Sequence, residues 1–148
     1  MKRSILFCGT PLFAVASLIS LFKHQEDLNY ILRGVVTTPD RKSGRGHKMQ
    51  ESAVKKEAKK LGLKIFTPDN LNNSKFISEI KHLKLDLIII VAFKKLPKIL
   101  FELPTIGTIN LHASLLPKYR GAAPINWAIV NGEKQTGLTT FFINDKID

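Results

Sequence analysis

The chain has 148 residues, 44% of them hydrophobic, and its 23 Lys and Arg against 12 Asp and Glu give a formal net charge of +11 at neutral pH. This length and composition favour one globular domain and exclude a chain too polar to bury a core. No apolar run approaches the roughly 20 residues that a membrane span requires, and none has the form of a secretory signal. We therefore expect a cytoplasmic protein with no membrane association, whose excess of positive charge suits an anionic partner.

The first forty residues predict a strand, a helix and a second strand. An apolar strand over residues 4–8 breaks at Gly-Thr-Pro, and apolar residues at helical spacing follow. Thr10 as the N-cap and Pro11 at the first helical position are favourable start signals for this helix. A second apolar strand over residues 31–37 completes a β-α-β unit. The single cysteine, Cys8, excludes an internal disulfide and predicts a buried structural thiol.

Residues 38–49 predict a loop in which basic side chains alternate with glycines. Cations attract phosphates, and glycines allow the backbone to adapt to them, so the loop is interpreted as a flexible arm that becomes ordered on a nucleic acid. The alternative is a mobile surface loop without a partner. For the lysines of the next predicted helix, the alternative is a general richness of the protein in lysine. The basic residues of the loop are Arg41, Lys42, Arg45, His47 and Lys48.

The rest of the chain continues to alternate helices with strands. The alternation indicates an α/β protein with a Rossmann-like, doubly wound and mostly parallel sheet, whose ligands bind beyond the carboxyl ends of the strands. The run over residues 86–92 is apolar on both faces, which predicts a central strand. Helices are predicted over residues 51–61, 73–83, 95–101 and 125–130, and strands over residues 64–66, 86–92, 107–111 and 138–143.

Asn110 and His112 are candidate catalytic residues at the end of a predicted strand. They are two residues apart, so their side chains lie on the same side of the strand. An amide can donate a hydrogen bond to a developing oxyanion, and a histidine can exchange a proton near neutral pH. The pair indicates chemistry at a carbonyl group. Taken alone, the pair favours a strand-end histidine that merely bonds its neighbours; the residues that follow, at 114–117 and 120–124, reverse that preference.

Other chemistries have weaker support in the sequence. Neither the dinucleotide nor the triphosphate glycine motif surrounds Gly9. The four histidines are scattered and Cys8 stands alone, so we expect no metal site. Trp127 has helical spacing to Ala123 and Val130, which predicts packing in the core rather than stacking on a base.

Five motifs follow one another along nearly the whole chain. They are F-x-G-T-P-x-F-A at 7–14, P-D-R-x-x-G-R-G at 39–46, N-x-H-x-S-L-L-P at 110–117, R-G-A-A-P-I at 120–125 and T-G-x-T at 136–139. The third motif alone would indicate only the wider group of formyl-tetrahydrofolate-dependent enzymes. Together the five resemble the methionyl-tRNA formyltransferase family.

The resemblance implies a formyltransferase fold, 10-formyltetrahydrofolate as the formyl donor, initiator methionyl-tRNA as the partner, and no metal. It assigns catalysis to Asn110, His112 and Asp148. It assigns contacts with the tetrahydrofolate to Ser114, Leu115, Leu116 and Pro117. The basic arm, with Arg41, Lys42, Arg45 and Lys48, would engage the acceptor end of the tRNA, and Arg45 matches the arginine that the family uses there.

The chain departs from the family pattern in two places. Many relatives have Tyr-Gly and an extra residue within the segment that corresponds to residues 91–97, which affects the lining of the pterin pocket. The family motif around Asp148 continues beyond this chain, into more sheet and a separate tRNA-binding domain. Residues 1–148 are therefore expected to form an incomplete catalytic domain, with low stability or a compensating self-association.

Two alternatives to this interpretation are kept. One is an enzyme that uses the same folate donor on a different amine, such as the amine of a sugar nucleotide. The other is a non-catalytic fragment that binds folate or tRNA. The basic arm favours tRNA over a sugar nucleotide, because a small acceptor has no need of it.

Overall fold

The computed structural model describes residues 1–146 and has eight strands and five helices in that range. The strands are β1 (Arg3–Gly9), β2 (Tyr30–Val36), β3 (Arg41–Ser43), β4 (Lys48–Gln50), β5 (Ile65–Phe66), β6 (Leu87–Val91), β7 (Gly107–His112) and β8 (Thr139–Phe142). The helices are α1 (Leu12–Lys23), α2 (Ala53–Lys60), α3 (Ser74–His82), α4 (Lys98–Phe101) and α5 (Pro124–Val130).

Six strands form one sheet in the order β5-β2-β1-β6-β7-β8, and only β8 runs antiparallel to its neighbour. The predicted mostly parallel α/β sheet is therefore confirmed. The entirely apolar β6 lies between β1 and β7, as its pattern predicts. The chain builds outward from β1 to β5 and then returns to β6, so the strand order reverses between β1 and β6. In such sheets, ligands bind at the carboxyl ends of the strands beside this reversal.

Two apolar layers cover the sheet on opposite faces. One layer joins alternate residues of β1 and β6, such as Leu6 and Ile88, to α3 and α4. The other joins the intervening residues, such as Phe7, to α1 and α2. Cys8 belongs to the first layer and is 1% exposed, so the predicted buried thiol is confirmed. Burial raises the pKa of this thiol, because the thiolate would lose its hydration.

Helix α1 begins one residue later than the sequence predicts, and the cap assignment is wrong. Pro11, in an extended conformation, occupies the N-cap position, and no side chain caps the helix. Thr10 belongs instead to the turn that leaves β1, where its hydroxyl oxygen is buried and has no partner among the described residues. The turn passes close to the sheet: a Cβ on Gly9 would lie 2.8 Å from the carbonyl oxygen of Val91.

The segment over residues 38–49 contains regular structure that the sequence analysis missed. Strands β3 and β4 pair antiparallel, with Arg41 opposite Gln50 and Ser43 opposite Lys48. Gly44 and Gly46 at the tip have φ of 72° and 101°, a region that favours glycine. We call residues 38–50 the basic hairpin.

The prediction that Trp127 packs in the core is wrong. Its side chain is 55% exposed, and Ala128 is the residue of α5 that is buried. Trp127 and Val130 do lie at helical spacing within α5, but both are exposed, because α5 packs through the side that carries Ala128.

Part of the sheet lacks a covering helix within the described residues. A groove of about 380 Å³ lies beside α1 and is lined by Ile89 and Val91 of β6 together with Ile109 and Leu111 of β7. No helix within residues 1–146 is long and apolar enough to cross a membrane.

Candidate active site

A cavity of about 1040 Å³ opens where the strand order reverses. Thr10 after β1, Ala92 after β6 and Asn110 near the end of β7 all line it. Its volume is at the upper end of the range for small-molecule sites, which is about 300–1,000 Å³. The carboxyl ends of three parallel strands thus build the cavity that the fold predicts.

Strand β7 brings the two candidate catalytic residues into this cavity. Asn110 and His112 both line it, together with Leu111 and Ala113. The strand has neighbours on both sides: Asn110 lies opposite Ile90 of β6 and Phe141 of β8. His112 is 6% exposed, and its Nε2 atom lies 2.8 Å from the carbonyl oxygen of Tyr119. Packing and hydrogen bonding therefore fix the histidine at the cavity.

The segment expected to hold the folate lies beside the cavity rather than in its lining. The buried Ser114 donates its hydroxyl hydrogen to the carbonyl of Lys118, 2.6 Å away. Thr139 of β8 donates to the carbonyl of Ser114 at 2.7 Å and accepts from the amide of Leu116 at 3.2 Å. Leu115 packs against Gly137, and the peptide bond between Leu116 and Pro117 is cis. The four residues thus form a braced turn behind His112.

Other walls of the cavity come from residues to which the sequence analysis assigned no role in the site. Phe13 of α1 and Phe93 after β6 provide aromatic surface, and Ala123, Pro124 and Ile125 supply the side next to α5. Phe93 belongs to the segment that departs from the family pattern. Its position directly after a parallel strand was the signal that could have found it, because such positions face the ligand site.

The basic hairpin stands at the rim of this cavity. Arg41 lines the cavity, whereas Lys42, Arg45 and Lys48 lie further out and are exposed. None of these four cations has a carboxylate partner within residues 1–146. Their charge is therefore available to an anion that approaches the cavity from this side.

Contacts with α2 fix the base of the hairpin. The Lys55 ammonium lies 2.9 Å from the Asp40 carboxylate, and the hydroxyls of Thr37 and Ser52 are 2.7 Å apart. Ser52 also caps α2 by accepting from the amide of Lys55. Lys59 pairs with Glu51. Carboxylates thus offset part of the lysine charge of α2, in contrast to the hairpin.

The third candidate catalytic residue, Asp148, lies outside the described residues. Within residues 1–146, no group of three or more His, Cys, Asp and Glu side chains could hold a metal ion.

Comparison with known proteins identifies the lineage of this fold. The sequence model of the formyl transferase family matches residues 1–148. The chain belongs to the formyl transferase family. It is 54% identical over 147 residues to the methionyl-tRNA formyltransferase of Flavobacterium johnsoniae. The matched residues make up 99% of this chain and 45% of the relative. It is 48% identical over 144 residues to the methionyl-tRNA formyltransferase of Bacteroides thetaiotaomicron, covering 97% of this chain and 44% of the relative.

This member of the formyl transferase family therefore spans a little under half the length of those relatives. Solved structures share its fold at lower identity. A phosphoribosylglycinamide formyltransferase from Bacillus halodurans matches with a TM-score of 0.75 and 17% identity over 99% of this chain and 74% of that chain. The glycinamide ribonucleotide transformylase 1 of Geobacillus kaustophilus matches with a TM-score of 0.76 and 18% identity, over 100% of this chain and 78% of that one.

Proposed function

We propose that the protein transfers a formyl group from 10-formyltetrahydrofolate to the α-amine of methionyl-initiator-tRNA, in the cytoplasm, and that residues 1–148 belong to its catalytic domain. The observation that carries the proposal is the meeting of Asn110, His112 and Arg41 at one cavity. The first two provide groups for chemistry at a carbonyl, and the third belongs to the basic hairpin, whose four cations have no carboxylate partner within residues 1–146. The names of the relatives at about half identity support the same substrates.

The cavity suits a folate donor beside an acceptor amine. Its volume of about 1040 Å³ exceeds the need of one small ligand, and Phe93 and Phe13 offer apolar surface to a flat ring. Asn110 and His112 place polar groups at one end of it. In our proposal, Ser114, Leu115, Leu116 and Pro117 support the donor indirectly, by holding the turn that follows His112.

In the proposed reaction, the neutral amine adds to the formyl carbon, and the bond from that carbon to the folate nitrogen then breaks. The amine loses one proton and the folate nitrogen gains one, so the products are formylmethionyl-tRNA and tetrahydrofolate. The Asn110 amide donates to the oxygen that becomes negative, a contribution of about 2.7 to 4 kcal/mol for one such donor. His112 donates to the same oxygen or moves the proton, which contributes roughly 10²- to 10⁴-fold.

The remaining roles follow from the family resemblance. Asp148 orients His112 and takes part in the proton transfer. Lys42, Arg45 and Lys48 bind phosphates of the acceptor stem. Arg41 belongs to the hairpin and also lines the cavity.

The direct test offers the chain 10-formyltetrahydrofolate with methionyl-tRNA, and in parallel reactions with free methionine and with an amino sugar nucleotide. We expect N-formylmethionine after hydrolysis of the tRNA ester, and far slower formation of it with the Asn110→Ala variant. Formylation of the amino sugar in place of methionyl-tRNA would overturn the proposed acceptor. Binding of folate or tRNA without any transfer would identify a binding module instead.

A further inference from the structure

One partner of His112 is a backbone carbonyl. The Nε2 atom of His112 lies 2.8 Å from the carbonyl oxygen of Tyr119. A carbonyl oxygen only accepts, so Nε2 must carry a proton in this bond. A partner of this kind sets the orientation of an imidazole and decides which of its nitrogens is protonated. The Tyr119 carbonyl therefore favours the form of His112 that carries a proton on Nε2.

Tyr119 has a backbone conformation that needs support. Its φ is 56°, in the left-handed region that disfavours residues with a Cβ atom, and Gly121 and Ala123 nearby have φ of 84° and 53°. A segment with this sequence of conformations persists when the surrounding structure holds it in place. The bond from the Ser114 hydroxyl to the Lys118 carbonyl, at 2.6 Å, holds it from one side.

The side chain of Tyr119 holds the segment from the other side. Its phenol donates to Oε1 of Glu133 at 2.7 Å. The amide of Glu133 in turn donates to the carbonyl of the buried Ala128, which ties the Glu133 backbone to α5. The same Oε1 also lies 3.7 Å from the Lys118 ammonium. The hydrogen bond to Glu133 raises the pKa of Tyr119, which keeps the phenol protonated as the donor.

We propose that Tyr119 and Glu133 are positioning residues for His112. The bond between their side chains anchors the Tyr119 carbonyl where it accepts from Nε2, and so holds the imidazole in one orientation with its proton on Nε2. The consequence for turnover rests on the proposed function, and within it on proton transfer by His112, because a neutral imidazole whose Nε2 proton is bonded to the Tyr119 carbonyl is left with Nδ1 as an acceptor. The effect on the imidazole itself does not depend on it.

The deciding measurement is the ¹⁵N spectrum of the histidine ring nitrogens in the labelled chain, with the signals of His112 assigned from their loss in His112→Gln. In the parent, we expect the form protonated at Nε2 to dominate. Tyr119→Phe and Glu133→Ala should broaden the ring signals and shift the Nε2 signal, because the imidazole then exchanges between orientations and its bond to the carbonyl is only partly formed. Glu133→Gln should retain the parental pattern, because its amide oxygen still accepts from the phenol.

Tyr30→Phe is the matched control, since it removes a phenol that donates to the Leu21 carbonyl, away from the cavity. It should leave the His112 signals unchanged. In the formylation assay, Tyr119→Phe should lower kcat roughly 3- to 10-fold with KM unchanged, the size set by one hydrogen bond.

The positioning role is overturned if Tyr119→Phe and Glu133→Ala keep the parental ring spectrum. Formylation by the parent would still support the proposed function in that case. Conversely, a changed ring spectrum in a chain that transfers no formyl group would support the positioning role and count against the proposed function.

Discussion

Asn110 is the side chain whose donor group has the most direct role in the proposed chemistry. Removing one donor to a developing oxyanion typically lowers turnover about 10²- to 10³-fold, because the negative charge then lacks a fixed partner. We expect this loss in kcat for Asn110→Ala, and also for Asn110→Asp, whose carboxylate cannot donate. The measurement is steady-state formylation of methionyl-tRNA by the variant and the parent.

Asn72→Ala makes the same change on the exposed segment between β5 and α3 and should leave kcat at the parental value. Turnover of Asn110→Ala within a few-fold of the parent would contradict the role given to this amide.

The buried thiol of Cys8 should make the free energy of unfolding depend on pH. Burial raises the pKa of its thiol, whereas the thiol in the unfolded chain ionises near pH 8.5. Between these two values the unfolded chain holds fewer protons than the folded chain, so the free energy of unfolding falls as pH rises. Cys8→Ala should remove a slope on the order of 1 kcal/mol per pH unit above about pH 9.

Urea denaturation of both proteins at several pH values measures this difference. The substitution also lowers stability at every pH by leaving a small void, so the slopes are compared rather than the absolute values. Parallel curves for the parent and Cys8→Ala would show that Cys8 ionises equally in both states.

The basic hairpin is the element that should distinguish an RNA-borne amine from a small acceptor. Arg45 does not line the cavity. It lies at the hairpin tip, where a Cβ on Gly44 or Gly46 would meet no atom within 4 Å. Its substitution therefore leaves the lining of the site intact. For Arg45→Ala we expect weaker binding of methionyl-tRNA and a salt dependence whose slope is smaller by roughly 0.9, the value for one phosphate contact. Binding titrations at several salt concentrations measure both.

Lys81→Ala removes one positive charge from α3 and serves as the control, with the parental slope expected. An unchanged slope in Arg45→Ala would mean that this arginine makes no phosphate contact. An equal change in both variants would point to net charge rather than to the hairpin.

The same hairpin shows why some elements could be predicted from the sequence and others could not. The long apolar patterns predict α1, α3 and β6 correctly, because each of these elements buries one side or both sides against an apolar layer of the core. Strands β3 and β4 are three residues long and exposed throughout, so no alternation of apolar residues marks them. Their pairing depends on the turn at Gly44 to His47, which hydrophobic patterns do not record.

The candidate site likewise contains residues whose meeting could be predicted from the sequence and residues whose meeting could not. Asn110 and His112 share one strand, so local geometry alone places them together. Phe13 and Phe93 follow different strands, and they meet at the cavity only because β1 and β6 are neighbours in the sheet. That order is a tertiary property, and the sequence of one element does not contain it.

At the scale of the whole molecule, apolar surface is the feature that governs solution behaviour. Helix α5 exposes Trp127, Ile129 and Val130 at 55%, 71% and 72%, and the groove over β6 and β7 adds further apolar area. Exposed apolar surface favours association, since burying it removes it from water. We expect the chain to self-associate as its concentration rises, measured as an increase in the sedimentation coefficient.

Trp127 is the single tryptophan, so its fluorescence reports on this surface directly. Emission should be typical of an exposed indole in dilute solution and should move to shorter wavelength as the chain associates. Ile129→Lys places a charge on the exposed side of α5 and should suppress both changes. Ile99→Lys adds the same charge to exposed surface on α4 and should behave like the parent, which separates burial of α5 from a simple effect of net charge. A sedimentation coefficient that is constant over the concentration range, with unchanged emission, would show that this surface does not drive association.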